Sequence, residues 1–123
     1  MKQRSAEILC IGTEILMGDI INTNAAYIAK ELAGLGINVY HQSVVGDNPQ
    51  RLKESLALAF SRADIVITTG GLGPTYDDLS KETIAAYFNR KLVMDEESLH
   101  AIECHFLRLN RVMTDNNKKQ AMM

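Results

Sequence analysis

The stretch that most constrains this chain is Asp64–Thr69, followed at once by Gly70-Gly71-Leu72-Gly73-Pro74. Asp-Ile-Val-Ile-Thr-Thr reads as a strand, and upstream the nearly continuous apolar run Ala6–Ile11 suits a strand covered on both faces, which is the mark of a parallel sheet. Three glycines and a proline can neither extend that strand nor begin a helix, so a loop must leave the sheet edge there. In a parallel α/β sheet, loops at the carboxyl ends of the strands are where ligands bind.

The same pattern occurs twice upstream. Ala6–Ile11 is an apolar run closed by Gly12, and Ile37–Val45 is a Val- and Ile-rich run closed by Gly46-Asp47-Asn48-Pro49, with Asn48 as a cap and Pro49 at the first helical position. Between them, Asn24–Leu35 places Ile28, Leu32 and Leu35 at helical spacing, with Asn22 or Thr23 to cap it and Gly34 and Gly36 near its end. Gln50–Arg62 predicts a helix burying Leu52, Leu56, Ala59 and Phe60, and Leu79–Phe88 another carrying Ile84, Tyr87 and Phe88. Lys91–Met94 reads as a short strand. Asp95 caps a last helix with Leu99, Ile102, Phe106 and Leu109, and beyond Arg111 the periodic signal fades. The order βαβαβα predicts an α/β fold, a three-layer sandwich on a mostly parallel sheet. At 123 residues a single domain is expected.

Composition removes several function classes. Apolar residues make up 46% and charged residues 23%, which suits a globular chain and not a disordered or fibrous one. No apolar run approaches the ~20 residues that cross a bilayer, and Ile8–Ile11 is too brief for a signal-peptide core, so a cytoplasmic location without a membrane partner is expected. A net charge of -2 argues against a nucleic-acid partner held through its phosphates. Cys10 and Cys104 form no CxxC, and Cys10 reads as a small buried hydrophobe.

The chemistry should lie in the loops Gly12–Asn24, Gly46–Asn48 and Gly70–Ser80. Gly70, Gly71 and Gly73 expose unhindered backbone N–H groups, which suits a phosphate-bearing ligand. The competing structural reading is that these glycines serve only a tight turn. Neither standard nucleotide fingerprint is present: Tyr76 stands where GxGxxG needs its third glycine, and Gly12–Gly18 lacks the Lys-Ser/Thr of a P-loop. Glu14, Asp19, Asp47, Asp77 and Asp78 crowd the same edge, and carboxylates beside a phosphate cradle point to a divalent metal such as Mg²⁺. Taken singly, Asp47 and Asp78 read as well as turn or capping residues. His100 and Cys104, four apart on one helix face, lack a third metal ligand, His41 reads as structural, and no Ser/His/Asp set is evident.

Two long motifs carry a resemblance. Gly12-Thr13-Glu14-Ile15-Leu16-Met17-Gly18-Asp19-Ile20-Ile21-Asn22-Thr23-Asn24 and Thr69-Gly70-Gly71-Leu72-Gly73-Pro74-Thr75-Tyr76-Asp77-Asp78, with Asn117-Lys118-Lys119-Gln120-Ala121 near the end, resemble the N-terminal domain of the CinA (competence/damage-inducible) family within the molybdopterin-binding superfamily. The resemblance implies a molybdopterin-binding-like fold over residues 1–123, cut short at its C-terminus, since the family's first domain continues past Ala121. It implies a nucleotide or pterin ligand held by Gly12, Thr13, Asn24, Gly70, Gly71, Gly73 and Thr75, with Asp47 and Asp78 as catalytic aspartates. Glu14, Asp77 and Asp78 would be metal ligands, with Mg²⁺ as the expected cofactor. Members similar to this chain are linked to metal-dependent hydrolysis of ADP-ribose, and full-length relatives often add a domain that deamidates nicotinamide mononucleotide. A pyrophosphatase is therefore the leading expectation, a non-catalytic pterin or nucleotide binding module the alternative, and a homo-oligomer the expected assembly.

Overall fold

The computed structural model describes residues 3–123, which fall into two compact units, Met1–Gly71 and Leu72–Met123. The first unit contains β1 (Ser5–Ile11), α1 (Thr13–Leu16), α2 (Thr23–Gly34), β2 (Asn38–Val45), α3 (Pro49–Arg62) and β3 (Ile65–Thr69). All strand pairs are parallel, in the order β2-β1-β3. Ile11 stands opposite Val45 and Cys10 opposite Thr69, so the strands finish level and the loops opened by Gly12, Gly46 and Gly70 leave one sheet edge.

The central strand is buried on both faces, as its apolar run requires. Ala6, Ile8 and Cys10 pack with Ala25 and Leu32 of α2, while the alternate residues turn to the opposite face, where α3 lies and contributes Leu52, Leu56 and Ala59. Two helices on two faces make the expected three-layer α/β sandwich. Ile8, Leu9 and Leu56 are at most 1% exposed, and each is worth roughly 1.5–3 kcal/mol of burial. Phe60, expected in this core, sits at the margin of the α3 stripe and is 41% exposed.

The helix ends follow the sequence signals. The Asn22 side chain accepts from Ala25 N–H at 3.3 Å and that of Asn48 from Arg51 N–H at 2.9 Å, with Pro49 at the first helical position. Past α2, Gly36 has φ +74°, Gly36 N–H donates to Ala33 O and Ile37 N–H to Leu32 O, the double bond that closes a Schellman motif. In β2 the register moves from Ala6–Val39 to Glu7–His41, which leaves Tyr40 as a bulge on an edge strand, a feature that discourages pairing with another chain.

The second unit holds α4 (Ser80–Tyr87), α5 (Glu96–Arg108), α6 (Asp115–Lys118) and a 3₁₀ turn (Lys119–Ala121). Asp95 caps α5 as expected, accepting from Ser98 N–H at 2.9 Å. Three expectations are corrected here. The buried positions of α4 are Ser80 and Thr83, while Ile84 and Tyr87 are half-buried and Phe88 is exposed. Lys91–Met94 is no strand: Met94 forms a single antiparallel bridge with Met122, and Val93 and Met123 exchange backbone hydrogen bonds. Beyond Arg111, where no pattern was legible, Thr114 and Asn117 close a capping box on α6 and Ala121 is fully buried. Among the described residues no helix is long and apolar enough to cross a membrane.

Candidate functional site

In the first unit the loops after β1 and β2 are tied together by one reciprocal pair. Thr13 N–H donates to Asp47 Oδ2 at 3.4 Å and Asp47 N–H donates to Thr13 Oγ1 at 3.1 Å. Gly46 leaves room for that pair: a Cβ there would lie 3.2 Å from Thr13 Oγ1, a tight contact. Gly12 N–H bonds Val45 O at 2.9 Å, and the Glu14 carboxylate folds back to where a Cβ on Gly12 would be, 2.6 Å from Glu14 Oε1. Asp47, Glu14 and Asp19 are all exposed. Asn24 is exposed in the first turn of α2, and it is Asn22 that reaches inward, capping the helix and donating from Nδ2 to Cys10 Sγ at 3.1 Å.

Gly70 has a cause of its own. Its φ is +90° and a Cβ would lie 2.0 Å from Ile11 O, a main-chain atom that cannot move aside. Glycine is thus demanded there by the approach of β1 to the loop, whatever ligand the loop accepts. Gly71 also has a left-handed φ, +69°, and the two together turn the chain sharply out of β3.

In the second unit, Gly73, Thr75 and Asp78 form one hydrogen-bonded loop. Thr75 donates to Asp78 Oδ2 from its hydroxyl at 2.5 Å and from its N–H at 3.1 Å, the Asp78 N–H returns to Thr75 O at 3.1 Å, and Gly73 N–H also bonds the carboxylate. Gly73 is glycine because the carboxylate lies against its Cα: a Cβ would be 2.6 Å from Asp78 Oδ2. The Thr75 hydroxyl above all, then the two backbone donors and the Lys119 charge, hold the Asp78 carboxyl below its ordinary range against the opposing effect of burial. Asp78 is therefore ionised at neutral pH. The stability it confers is present above the ordinary Asp pKa and lost as pH falls through the lowered folded value. Asp77, next to it, is exposed.

A test of this loop follows directly. Gly73→Ala meets no unfavourable φ, so its effect comes from the Cβ alone. It should displace the Asp78 carboxylate, cost about 1–2 kcal/mol and raise the Asp78 titration midpoint. An NMR titration of the Asp78 carboxyl carbon checks it, and an unchanged midpoint would refute the account of Gly73.

Sequence reasoning missed Lys119. Its ammonium donates to Thr75 O at 2.6 Å and also to Asp78 O, and it lies 3.7 Å from Glu82 Oε1. It had been visible only as part of a motif, with no pattern to connect it to a loop 41–44 residues earlier. Among the described residues no three His, Cys, Asp or Glu side chains stand where they could share a metal ion. His100 and Cys104 touch at 3.6 Å without a third partner. The donors that exist suit a hard cation that takes one or two protein carboxylates and fills its shell with water and phosphate oxygens, as Mg²⁺ does. A carboxylate offers about four lone-pair directions, and the loop's own donors occupy three at Asp78.

Comparison with known proteins agrees with this architecture. Residues 7–122 match the family described as "Probable molybdopterin binding domain". The chain is 65% identical over 117 residues to a "Putative competence-damage inducible protein" of Clostridium kluyveri, covering 94% of this chain and 28% of that protein. It is 60% identical over 117 residues to one from Clostridium tetani, covering 95% and 29%. The chain thus spans under a third of the length of these curated relatives. Among solved structures it is similar to the protein CinA of unknown function from Thermoplasma acidophilum, at 32% identity and a TM-score of 0.86, covering 98% of this chain and 70% of that one. The molybdopterin biosynthesis enzyme MoaB from Thermus thermophilus shares the fold, with a TM-score of 0.68 at 23% identity over 98% of this chain and 73% of that one.

Proposed function

The chain belongs to the molybdopterin-binding domain family, among its CinA-type members, and from that premise we propose that it binds a phosphate-bearing nucleotide or pterin and hydrolyses the pyrophosphate of ADP-ribose with a divalent metal. The observation that carries the reading is Asp78: a carboxylate held ionised by three donors of its own loop, directly after a glycine-rich turn. A loop that spends Gly73 and Thr75 on orienting one carboxylate suits a group that must present fixed negative charge to a cation.

In this reading Asp78 would hold Mg²⁺ and Asp47 would be the second catalytic carboxylate, with Glu14 and Asp77 as alternative ligands or bases. When bound, the metal supplies charge neutralisation at the pyrophosphate and a more acidic water. The N–H groups of the Gly70-Gly71 turn donate to phosphate oxygens, where the left-handed backbone leaves no side chain in the way. Thr13 fixes Asp47 through their paired hydrogen bonds. Self-association into a homo-oligomer and a cytoplasmic setting go with the reading. The second reading, a module that binds a pterin or nucleotide without turning it over, is favoured by the family description itself.

Incubation of the purified protein with ADP-ribose, with and without Mg²⁺, decides between them: metal-dependent release of AMP is expected, and ADP-ribose or pterin binding without turnover would establish the binding module. Asp47→Asn is the cleaner of the two carboxylate tests. Asp47 is exposed and accepts one long hydrogen bond, so the substitution should cut turnover at least a hundredfold, about 3 kcal/mol in the barrier, while the melting temperature stays within about 2 °C of wild type. Full turnover in Asp47→Asn would remove Asp47 from the machinery. Asp78→Asn should lose turnover too, but it also places an amide where the loop needs an acceptor, so its effect combines charge and loop geometry.

A further inference from the structure

We propose that Lys119 is a positioning residue for the Gly73–Asp78 loop, its ammonium gathering the Thr75 and Asp78 carbonyls and so fixing the direction in which the Asp78 carboxylate is presented. The importance of that direction rests on the reading of Asp78 given above; the positioning itself rests on the geometry alone.

The loop has little apolar anchorage. Tyr76 at its tip is 83% exposed, and Thr75 and Asp77 are exposed as well. Its shape must come from polar contacts, and besides those on the Asp78 carboxylate these fall on two main-chain oxygens. Thr75 O accepts both the Asp78 N–H that closes the turn and the Lys119 ammonium at 2.6 Å. Asp78 O accepts the same ammonium. A lysine has three donors and no acceptor, so one side chain binds the two ends of the turn together. Lys119 is itself held. Its side chain is only 19% exposed, with Glu82 Oε1 as the nearby countercharge, and Lys81 on α4 donates to the carbonyls of Lys119, Gln120 and Met122 at 3.1, 3.2 and 2.7 Å. The two lysines form crossed clamps: Lys81 fixes the 3₁₀ turn that carries Lys119, and Lys119 fixes the loop that leads into the helix carrying Lys81.

The groups facing the Asp78 carboxylate are Gly73 and Thr75 on its own loop and Lys119 from the 3₁₀ turn, while Glu82 on α4 faces the ammonium. Loss of the ammonium should therefore loosen the turn that directs the carboxylate.

The experiment compares wild type, Lys119→Met and Lys119→Arg in two measurements: hydrogen exchange at the Asp78 amide, and kcat and KM for ADP-ribose turnover with Mg²⁺. Lys119→Met keeps the stem and removes every donor. Its Asp78 amide should exchange faster, and kcat should fall roughly ten- to a hundredfold, the cost of a misplaced group. Lys119→Arg, which keeps charge and donors, should restore most of both. Asp78 amide exchange unchanged in Lys119→Met would overturn the proposal, as would failure of Lys119→Arg to restore it. If wild type does not turn over ADP-ribose, the functional reading fails, and exchange still decides the role of Lys119. Should Lys119→Met not fold, Lys119→Gln, neutral with one amide donor group, takes its place under the same criteria.

Discussion

Gly70→Ala is expected to destabilise the first unit by about 3 kcal/mol or more, enough to lower its melting temperature by roughly 12 °C or more. Two costs coincide at this residue. A φ of +90° is unfavourable for any side chain, and the added Cβ would meet Ile11 O at 2.0 Å, far inside van der Waals contact. Relief requires the β3 exit to move away from β1, and Cys10–Thr69 is the last parallel pair before that exit. Gly18→Ala separates the two costs. Its φ is +81°, but nothing lies within 4 Å of a Cβ there, so it should cost only about 1 kcal/mol. Thermal melts of both variants at matched concentration test the pair. If the two losses are equal, the close approach to Ile11 contributes nothing and the glycine is explained by its dihedral alone.

What sequence could and could not show follows from the range of each interaction. Asn22, Asn48 and Asp95 were readable as caps because a cap and the N–H that donates to it lie three residues apart, and the central strand was readable because double-sided burial leaves a continuous apolar run. The four-residue α1 and α6 left no trace, being barely more than one turn and so too short to show a repeat. The site suffered more. Gly46 was read as part of a turn, whereas it makes room for Thr13, and the Thr13–Asp47 pairing spans 34 residues. Gly70 and Gly73 were read as a phosphate cradle, but each has an intramolecular reason to be glycine, the Ile11 carbonyl in one case and the Asp78 carboxylate in the other. Lys119 was beyond reach, because a lysine that binds main-chain carbonyls leaves no complementary residue type to search for.

Arg62→Ala should be comparably damaging, and its pH dependence identifies the cause. Glu7 lies in the middle of the central strand at 1% exposure, with Arg62 Nε 2.7 Å from Oε1, Arg62 Nη2 3.2 Å from Oε2, and Ser43 Oγ donating to Oε2 at 3.0 Å. The Arg62 hydrogen bonds hold the Glu7 carboxyl below its ordinary value of 4.5, against burial, with Ser43 and the charges of Arg62 and His41 assisting. In wild type this pair therefore adds stability that is present above pH 4.5 and lost as pH falls through the lowered folded value. Removal of Arg62 leaves burial opposed only by Ser43 and His41, which raises the Glu7 value above its wild-type position. At neutral pH the variant must either bury an uncompensated carboxylate or take up a proton, a cost of about 3 kcal/mol, at the lower end for a broken buried pair because the Arg62 side chain is 30% exposed. As pH falls through the raised value the proton is bound readily, and the deficit relative to wild type should shrink. Urea denaturation of both proteins at pH 7 and pH 4.5 reads the two deficits. A deficit that stays the same at both would assign the loss to packing of the arginine stem and not to the charge of Glu7. The double replacement Glu7→Gln with Arg62→Met should recover much of the loss at pH 7, because it removes the buried charge together with its partner.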